Sequence, residues 1–320
     1  MKRNGFKFIL TSLILMPLYL FAGGQKEETT PLKEINISYV KSPFNLQVMV
    51  MKEKELLEKE FAPDKITIKW HEITSGAKQA EAMAAGSLDI ASVMNTASVT
   101  IANAAGNNVD IIDAVSRPID TFTIMTGENG PLNVKDLSGK TVAGPKGTVL
   151  HQLLESVIQK EGLHDVKLVS MGLPQAQTAL LAGKVDAALL AGALVLKTQD
   201  AGGQVLTTSE GYVQPLLVSV SPRSFVEAHP GVITRYKKIQ SQAYDFIINS
   251  QDESLAIGAA QQDLSPDYAL DLYKRSGIAN NFVKADEEGL LKDILFLQDL
   301  GMIEGAVTPH DLISELLDVQ

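Results

Sequence analysis

The sequence predicts an α/β protein of two lobes with a helical tail, and three observations carry that prediction. Two stretches about 100 residues apart run through the same order of strand, helix, strand, helix, strand. Inside them, Ala85-Gly86-Ser87-Leu88-Asp89-Ile90-Ala91 and Ala182-Gly183-Lys184-Val185-Asp186-Ala187-Ala188 are the closest local match, sharing the Ala-Gly pair, the Asp and the final Ala. From Ser221 onward the apolar spacing becomes helical. A repeated βαβαβ unit implies one mainly parallel sheet per lobe, and a helical tail after the second unit is expected to return to the first lobe.

The first unit opens with an alternating strand, Ile35 to Val40, a loop Lys41 to Phe44 and a helix Asn45 to Glu60. A strand from Lys65 to His71 leads through Thr74-Ser75-Gly76 into a helix ending at Gly86, then a strand Leu88 to Met94. The second unit follows suit, with strand Thr141 to Ala143, loop Gly144 to Gly147, helix Thr148 to Glu161 and strand Val166 to Ser170. Loop Met171 to Leu173, helix Pro174 to Ala182 and strand Val185 to Leu190 complete it. Gly86 and Gly183 each stand where a helix ends in a left-handed residue. Asp89 and Asp186 occupy equivalent corners, where a short acid accepts hydrogen bonds from turn amides, so they are read as structural.

Apolar strands at Phe122 to Thr126 and Gln214 to Val220 mark the crossings between lobes, which act as a hinge. The tail reads as helices Pro230 to Ser250, Glu253 to Gln262, Ser265 to Ser276, Asp286 to Gly301 and Pro309 to Asp318. Ser265-Pro266-Asp267 and Thr308-Pro309-His310-Asp311 place a hydroxyl cap before a first-turn proline and an acid. The expected organisation is 1–24 leader, 25–121 first part of lobe one, 122–217 lobe two and 218–320 helical completion of lobe one.

The leader is read from Lys2, Arg3 and Lys7 ahead of an apolar run from Phe8 to Ala22, closed by Gly23 and Gly24 before Gln25-Lys26-Glu27-Glu28. That is the order of an export signal, and the run falls short of the roughly 20 residues a membrane span needs. The expected compartment is therefore the periplasm, an uncleaved anchor being the alternative. The chain has no cysteine, which removes disulfides, thiol catalysis and cysteine-held metals. The net charge of −10 becomes −13 without residues 1–24 and argues against nucleic acid as a partner.

Ligands of open α/β sheets gather beyond the carboxyl ends of the strands, where helix amino termini point. That rule selects Lys41 to Phe44, Ile73 to Ala77, Asn95 to Ala97, Pro145 to Thr148, Met171 to Gln175 and Ala191 to Ala193. The candidate ligand-binding residues are Lys41, Ser42, Phe44, Ser75, Gly76, Asn95, Thr96, Ala97, Lys146, Gly147, Thr148, His151, Met171 and Gly192. Ser75-Gly76 and Gly147-Thr148 open helices, where free amides and a hydroxyl suit an anionic oxygen. Lys41, Lys146 and His151 are the cationic candidates, although a loop lysine is usually solvated and His151, one turn into a helix, is as well placed for a structural bond. Phe44 is either a stacking platform or a hydrophobic staple. The five histidines show no metal-ligand spacing and no hydrolase or nucleotide motif occurs; no catalytic residue, metal or cofactor is expected.

The segment Ala85 to Ala91, the run Val134-Lys135-Asp136-Leu137-Ser138-Gly139-Lys140-Thr141-Val142-Ala143, and Pro145-Lys146-Gly147-Thr148 with Leu153-Leu154 resemble the substrate-binding proteins of sulfonate, nitrate and taurine ABC importers. That group also includes thiamine-precursor binders. The resemblance implies a two-lobed periplasmic-binding-protein fold of the second topological type, with both chain ends in lobe one. It implies a monomer that captures a small-molecule ligand and delivers it to an ABC permease and its ATPase. None of the arginines after the leader, Arg117, Arg223, Arg235 and Arg275, lies in the six loops. A small organic anion such as a sulfonate and a taurine-like zwitterion both remain open, as does a neutral ligand. Two other functions stay in view: an exported sensing module for a membrane signalling partner, and a pyrimidine-synthase-like enzyme, against which the missing cysteine speaks.

Overall fold

In the computed structural model, which describes residues 32–317 and 319, the chain begins with β1 (Glu34–Ser38), α1 (Leu46–Glu53), α2 (Leu56–Phe61), β2 (Thr67–His71), α3 (Gly76–Ala84), β3 (Ala91–Asn95), α4 (Thr96–Ala104) and β4 (Val109–Ser116). It continues through β5 (Phe122–Thr126), β6 (Thr141–Gly144), α5 (Val149–Glu161), β7 (Lys167–Ser170), α6 (Leu173–Leu181), β8 (Ala187–Ala191), α7 (Ala193–Asp200) and β9 (Gln204–Thr208). Last come β10 (Leu217–Pro222), α8 (Arg223–Ala228), α9 (Pro230–Asn249), α10 (Gln251–Gln262), α11 (Pro266–Ser276) and α12 (Lys284–Asp299). The expected leader, residues 1–24, lies outside the described residues.

The two lobes are built on the same plan. In lobe 2 the sheet order is β7-β6-β8-β5-β9. In lobe 1, β2 pairs β1, a parallel bridge Ile37↔Ile90 joins β1 to the approach of β3, and β3-β10-β4 completes the order. Each sheet thus borrows one antiparallel strand: β5 lies between β8 and β9, and β10 between β3 and β4. The remaining four strands of each sheet run in one direction, so the sheets are mainly parallel as expected, and the one antiparallel strand in each is the strand that enters directly from the other lobe. Ser219 of β10 fastens its strand to lobe 1, its hydroxyl lying 2.7 Å from Gln240 Oε1 and 2.9 Å from the Ser92 carbonyl, two acceptors for its one proton.

The two matching acids behave alike. Asp89 Oδ2 accepts from Asn36 N–H at 2.7 Å, and Asp186 Oδ2 from Thr141 N–H at 2.8 Å. Gly86 and Gly183 take the left-handed conformation at φ 68° and 65°.

Two helices differ from expectation. The helix read across Asn45 to Glu60 is broken at Glu55, which sits at φ 51°, and Lys59 Nζ donates to the Lys54 carbonyl at 2.7 Å. The helix read from Pro309 to Asp318 is a single 3-10 turn, Pro309–Asp311, behind the Thr308 cap. Beyond it Ile313 bridges Ile111 of β4, so pairing with the sheet replaces the helix. By contrast Ser265 caps α11 from its hydroxyl, 3.2 Å from Tyr268 N, and Gly277 ends it.

Lobe 1 has the larger core. Leu46 to Met51 of α1 are buried on every face between α9 and α10. Beneath the sheet, Met94, Val99, Ile111 and Val218 pack against Leu290, Ile294 and Leu297 of α12. In lobe 2, Met125, Ala143, Ala188 and Leu190 pack with Ala176, Leu180 and Val195. Burial of this kind stabilises by about 25 cal/mol for each Å² of apolar surface. It holds the strand ends, and the loops on them, in place.

Candidate functional site

The loops at the carboxyl ends of the strands meet between the lobes. Gly76, the first residue of α3, packs on Ser98 in the first turn of α4 so tightly that an added Cβ would lie 2.4 Å from Ser98 Oγ. That hydroxyl donates across the cleft to the Gly147 carbonyl at 3.0 Å. The amino ends of α3, α4 and α5 therefore converge on one place from two lobes. On the other side of the cleft, Gly192 ahead of α7 faces Pro43, where an added Cβ would lie 2.2 Å from the Pro43 carbonyl oxygen. Gly192 holds φ 58° and ψ −129°, a backbone conformation that only glycine adopts without strain.

The helix ends differ in how their amides are used. Asn95 caps α4, its Oδ1 accepting from Ser98 N–H at 3.0 Å. Ser75 stands at the cap position of α3 and Thr148 at that of α5, yet neither side chain makes the cap bond. Thr148 Oγ1 donates instead to the Pro145 carbonyl at 3.0 Å. Partly exposed Ser42 and Ser75 have hydroxyls without a hydrogen-bond partner among the described residues, as does the Asn95 Nδ2 group. First-turn amides left open in this way, with hydroxyl and amide donors beside them, form a surface suited to an anionic oxygen.

Other expected residues serve elsewhere. Phe44 is 1% exposed and its ring lies over Gly258 of α10, so it is a core contact and not a stacking platform. Lys41 pairs with Glu72 at 3.3 Å, so its charge is partly offset by a neighbouring acid. His151 is buried, its Nδ1 accepting from Gly147 N–H at 3.3 Å and its Nε2 3.3 Å from Glu155; it shapes the loop before α5. Ala97 is buried, and Met171 packs on the lobe 2 core, while Pro174 and Gln175 line a depression on the outer face of α6. Lys146 is exposed at the cleft loop with no ion pair among the described residues.

No sequence pattern marks the contacts that tie the lobes together. Thr96 Oγ1 donates to Asp293 Oδ2 at 2.5 Å, and Gln152 Nε2 from lobe 2 donates to Asp293 Oδ1 at 3.2 Å. Burial pushes the Asp293 carboxyl up to about 6, against the opposing pull of those two bonds. Lys197 Nζ reaches the Gln262 carbonyl at 3.3 Å and Asp263 at 3.6 Å, and Tyr268 Oη donates to Asp200 at 2.5 Å. Each pair joins residues far apart in the chain, and no local pattern marks either partner.

Among the described residues, no helix is long and apolar enough to cross a membrane and no cluster of acids and histidines is placed to hold a metal ion.

Comparison with known proteins bears on this arrangement. A family model described as NMT1/THI5 like matches residues 61–254. A Bacillus subtilis (strain 168) protein named as aliphatic sulfonates-binding is 28% identical over 291 residues, 88% of this chain and 86% of its own. The taurine-binding periplasmic protein of Escherichia coli (strain K12) is 28% identical over 246 residues, 72% of this chain and 69% of its own. Among solved structures, the alkanesulfonate-binding protein SsuA of Xanthomonas axonopodis pv. citri, bound to MOPS, superposes with a TM-score of 0.78 at 22% identity, covering 89% of this chain and 99% of that one. The periplasmic aliphatic sulphonate binding protein SsuA of Escherichia coli gives 0.73 at 21% identity, covering 88% and 97%. The relatives named here are binding proteins, and the chain, two-lobed and of the periplasmic-binding-protein fold, belongs with them to the NMT1/THI5-like family as a substrate-binding protein and not an enzyme.

Proposed function

We propose that this protein is the periplasmic solute-binding component of an ABC importer and that it captures a small organic sulfonate, or a taurine-like zwitterion, between its lobes. The observation that carries the reading is the pair of uncapped helix ends, α3 and α5, which approach each other from opposite lobes through Ser98 and Gly147. A sulfonate presents three acceptor oxygens, and the first-turn amides at Gly76 and Thr148 with Ser75, Ser42 and Asn95 Nδ2 are donors on both walls. Each exposed helix end contributes only about 0.3 to 1 kcal/mol toward an anion, so several must act on one group. Lys146 supplies the positive charge at the rim. The named relatives support the ligand class, since two bind sulfonates or taurine by name.

The mechanism follows from the donors' division between lobes. A ligand held by one lobe alone leaves half of its oxygens to water; closure brings the second set to bear, so the ligand favours the closed state by its differential contacts. Micromolar affinity needs about −8 kcal/mol, within reach of a few charge-assisted hydrogen bonds in an enclosed cleft. The closed monomer then presents both lobes together to the permease. Calorimetry and thermal shift with taurine, alkanesulfonates, nitrate, amino acids and pyrimidines test the reading. Heat and stabilisation are expected with the sulfonates or taurine, and silence from both would overturn it.

A further inference from the structure

We propose that closure of the two lobes is coupled to protonation of Asp293, the carboxylate held between the first turns of α4 and α5. The inference rests on the ligand-capture reading for its purpose but on geometry for its substance. Asp293 belongs to lobe 1, and one of its oxygens accepts from Thr96 of the same lobe while the other accepts from Gln152 of lobe 2. Thr96 and Gln152 lie in the opening turns of the two helices whose amino ends face the cleft, so the carboxylate sits directly behind the ligand loops.

The site carries no cation. Among the described residues Asp293 has no ion-pair partner, and its neighbours one turn away on α12, Gly289, Leu290, Phe296 and Leu297, are uncharged. The adjacent Lys292 is exposed. Helix α4 has no titratable side chain. Helix α5 brings His151 and Glu155, which are paired with each other. The 3-10 turn packed on α12 brings His310 and Asp311, the latter bonded to Thr308. A carboxylate partly withdrawn from water without a counter-charge favours its protonated form, and here desolvation raises half-buried Asp293 to about 6. Opening withdraws Gln152 and admits water, which returns the group toward the ordinary aspartate range. Closure therefore takes up a proton, and by linkage acid favours the closed state.

The absence of cysteine allows clean labelling. Lys69→Cys in lobe 1 and Lys184→Cys in lobe 2, both exposed, carry a dye pair whose energy transfer reports closure of the ligand-free protein. Between pH 7.5 and pH 5.0 the closed-to-open ratio is expected to rise by about tenfold in the parent and to stay flat in Asp293→Asn. Gln152→Leu removes only the bond across the cleft, which favours the charged form, so its profile is expected to move to higher pH. A flat parent profile, the same slope in Asp293→Asn, or an unmoved profile in Gln152→Leu overturns the proposal. Because no ligand is present in this experiment, a sulfonate screen that fails while the pH profile holds removes the ligand reading and leaves the coupling standing.

Discussion

Gly192 of lobe 2 and Pro43 of lobe 1 approach so closely that a methyl group on the glycine would lie 2.2 Å from the Pro43 carbonyl oxygen. The contact spans the two lobes, and the absence of a side chain on Gly192 is what lets them approach this closely. Gly192→Ala is expected to hold the lobes apart. Part of its effect is local, since alanine is strained at φ 58° and ψ −129° by about 1 to 3 kcal/mol. The decisive reading is the radius of gyration by small-angle scattering, which should exceed that of the parent at full ligand concentration; equal radii would show that the contact does not gate closure.

Ser98 carries the complementary contact, its hydroxyl on the Gly147 carbonyl at 3.0 Å. Ser98→Ala removes one neutral hydrogen bond between lobes, of about 1 kcal/mol, and should weaken ligand binding about fivefold by calorimetry. Gly76→Ala acts on the same bond by displacing Ser98, whose Oγ lies 2.4 Å from the new Cβ, and should weaken binding at least as much. An affinity equal to the parent's in both variants would remove this contact from the closing machinery.

Much of this architecture was legible because it is local or repeated. The corners at Gly86-Asp89 and Gly183-Asp186 appear in the sequence as a motif and in the fold as matching bonds to Asn36 and Thr141. The loops were legible for the same reason, since each follows a strand and opens a helix. The partner of a side chain was not. Phe44 reads equally well as a platform or as a staple, and only the bare face of Gly258, more than 200 residues away, decides for the core. Asp293 reads as one more charge on a helix, because its burial comes from two helices contributed by distant segments. The apolar runs of β5 and β10 read as crossings between lobes, but their antiparallel entry depends on topology that apolar runs do not encode.

Asp113 of β4 makes stability pH-dependent. Among the described residues its carboxylate accepts a hydrogen bond only from the N–H of Ala114, at 2.9 Å, and burial raises it to about 7, with Lys237 pulling the other way. The folded state then binds a proton that the unfolded chain, near 3.9, has already released, so this group's contribution is present below about pH 4 and is lost as pH rises to about 7. Asp113→Asn should raise the melting temperature relative to the parent at pH 8, by an amount corresponding to about 2 kcal/mol, and the gain should shrink toward pH 5. A difference between the two proteins that is constant from pH 5 to pH 8 would show that Asp113 does not titrate in the folded protein.

The hydroxyls at the two uncapped helix ends give the sharpest separation of binding from stability. A serine or threonine at a helix cap ordinarily contributes about 1 kcal/mol, lost on substitution by alanine. Ser75 makes no cap bond and Thr148 directs its hydroxyl to the Pro145 carbonyl, so the usual loss should be small in Ser75→Ala and limited to that one loop bond in Thr148→Ala. Both should melt within about 3 °C of the parent, in keeping with a few tenths of a kcal/mol in a chain of this size. Ser75→Ala should bind a sulfonate probe such as 1-hexanesulfonate or taurine about tenfold more weakly, because a hydrogen bond to a charged group is worth about 1.5 to 3 kcal/mol, while Thr148→Ala, whose hydroxyl proton is already given to Pro145, should lose less through the displaced loop. A melting temperature that falls while affinity is unchanged would reassign these hydroxyls to the fold and move the anion site away from the ends of α3 and α5.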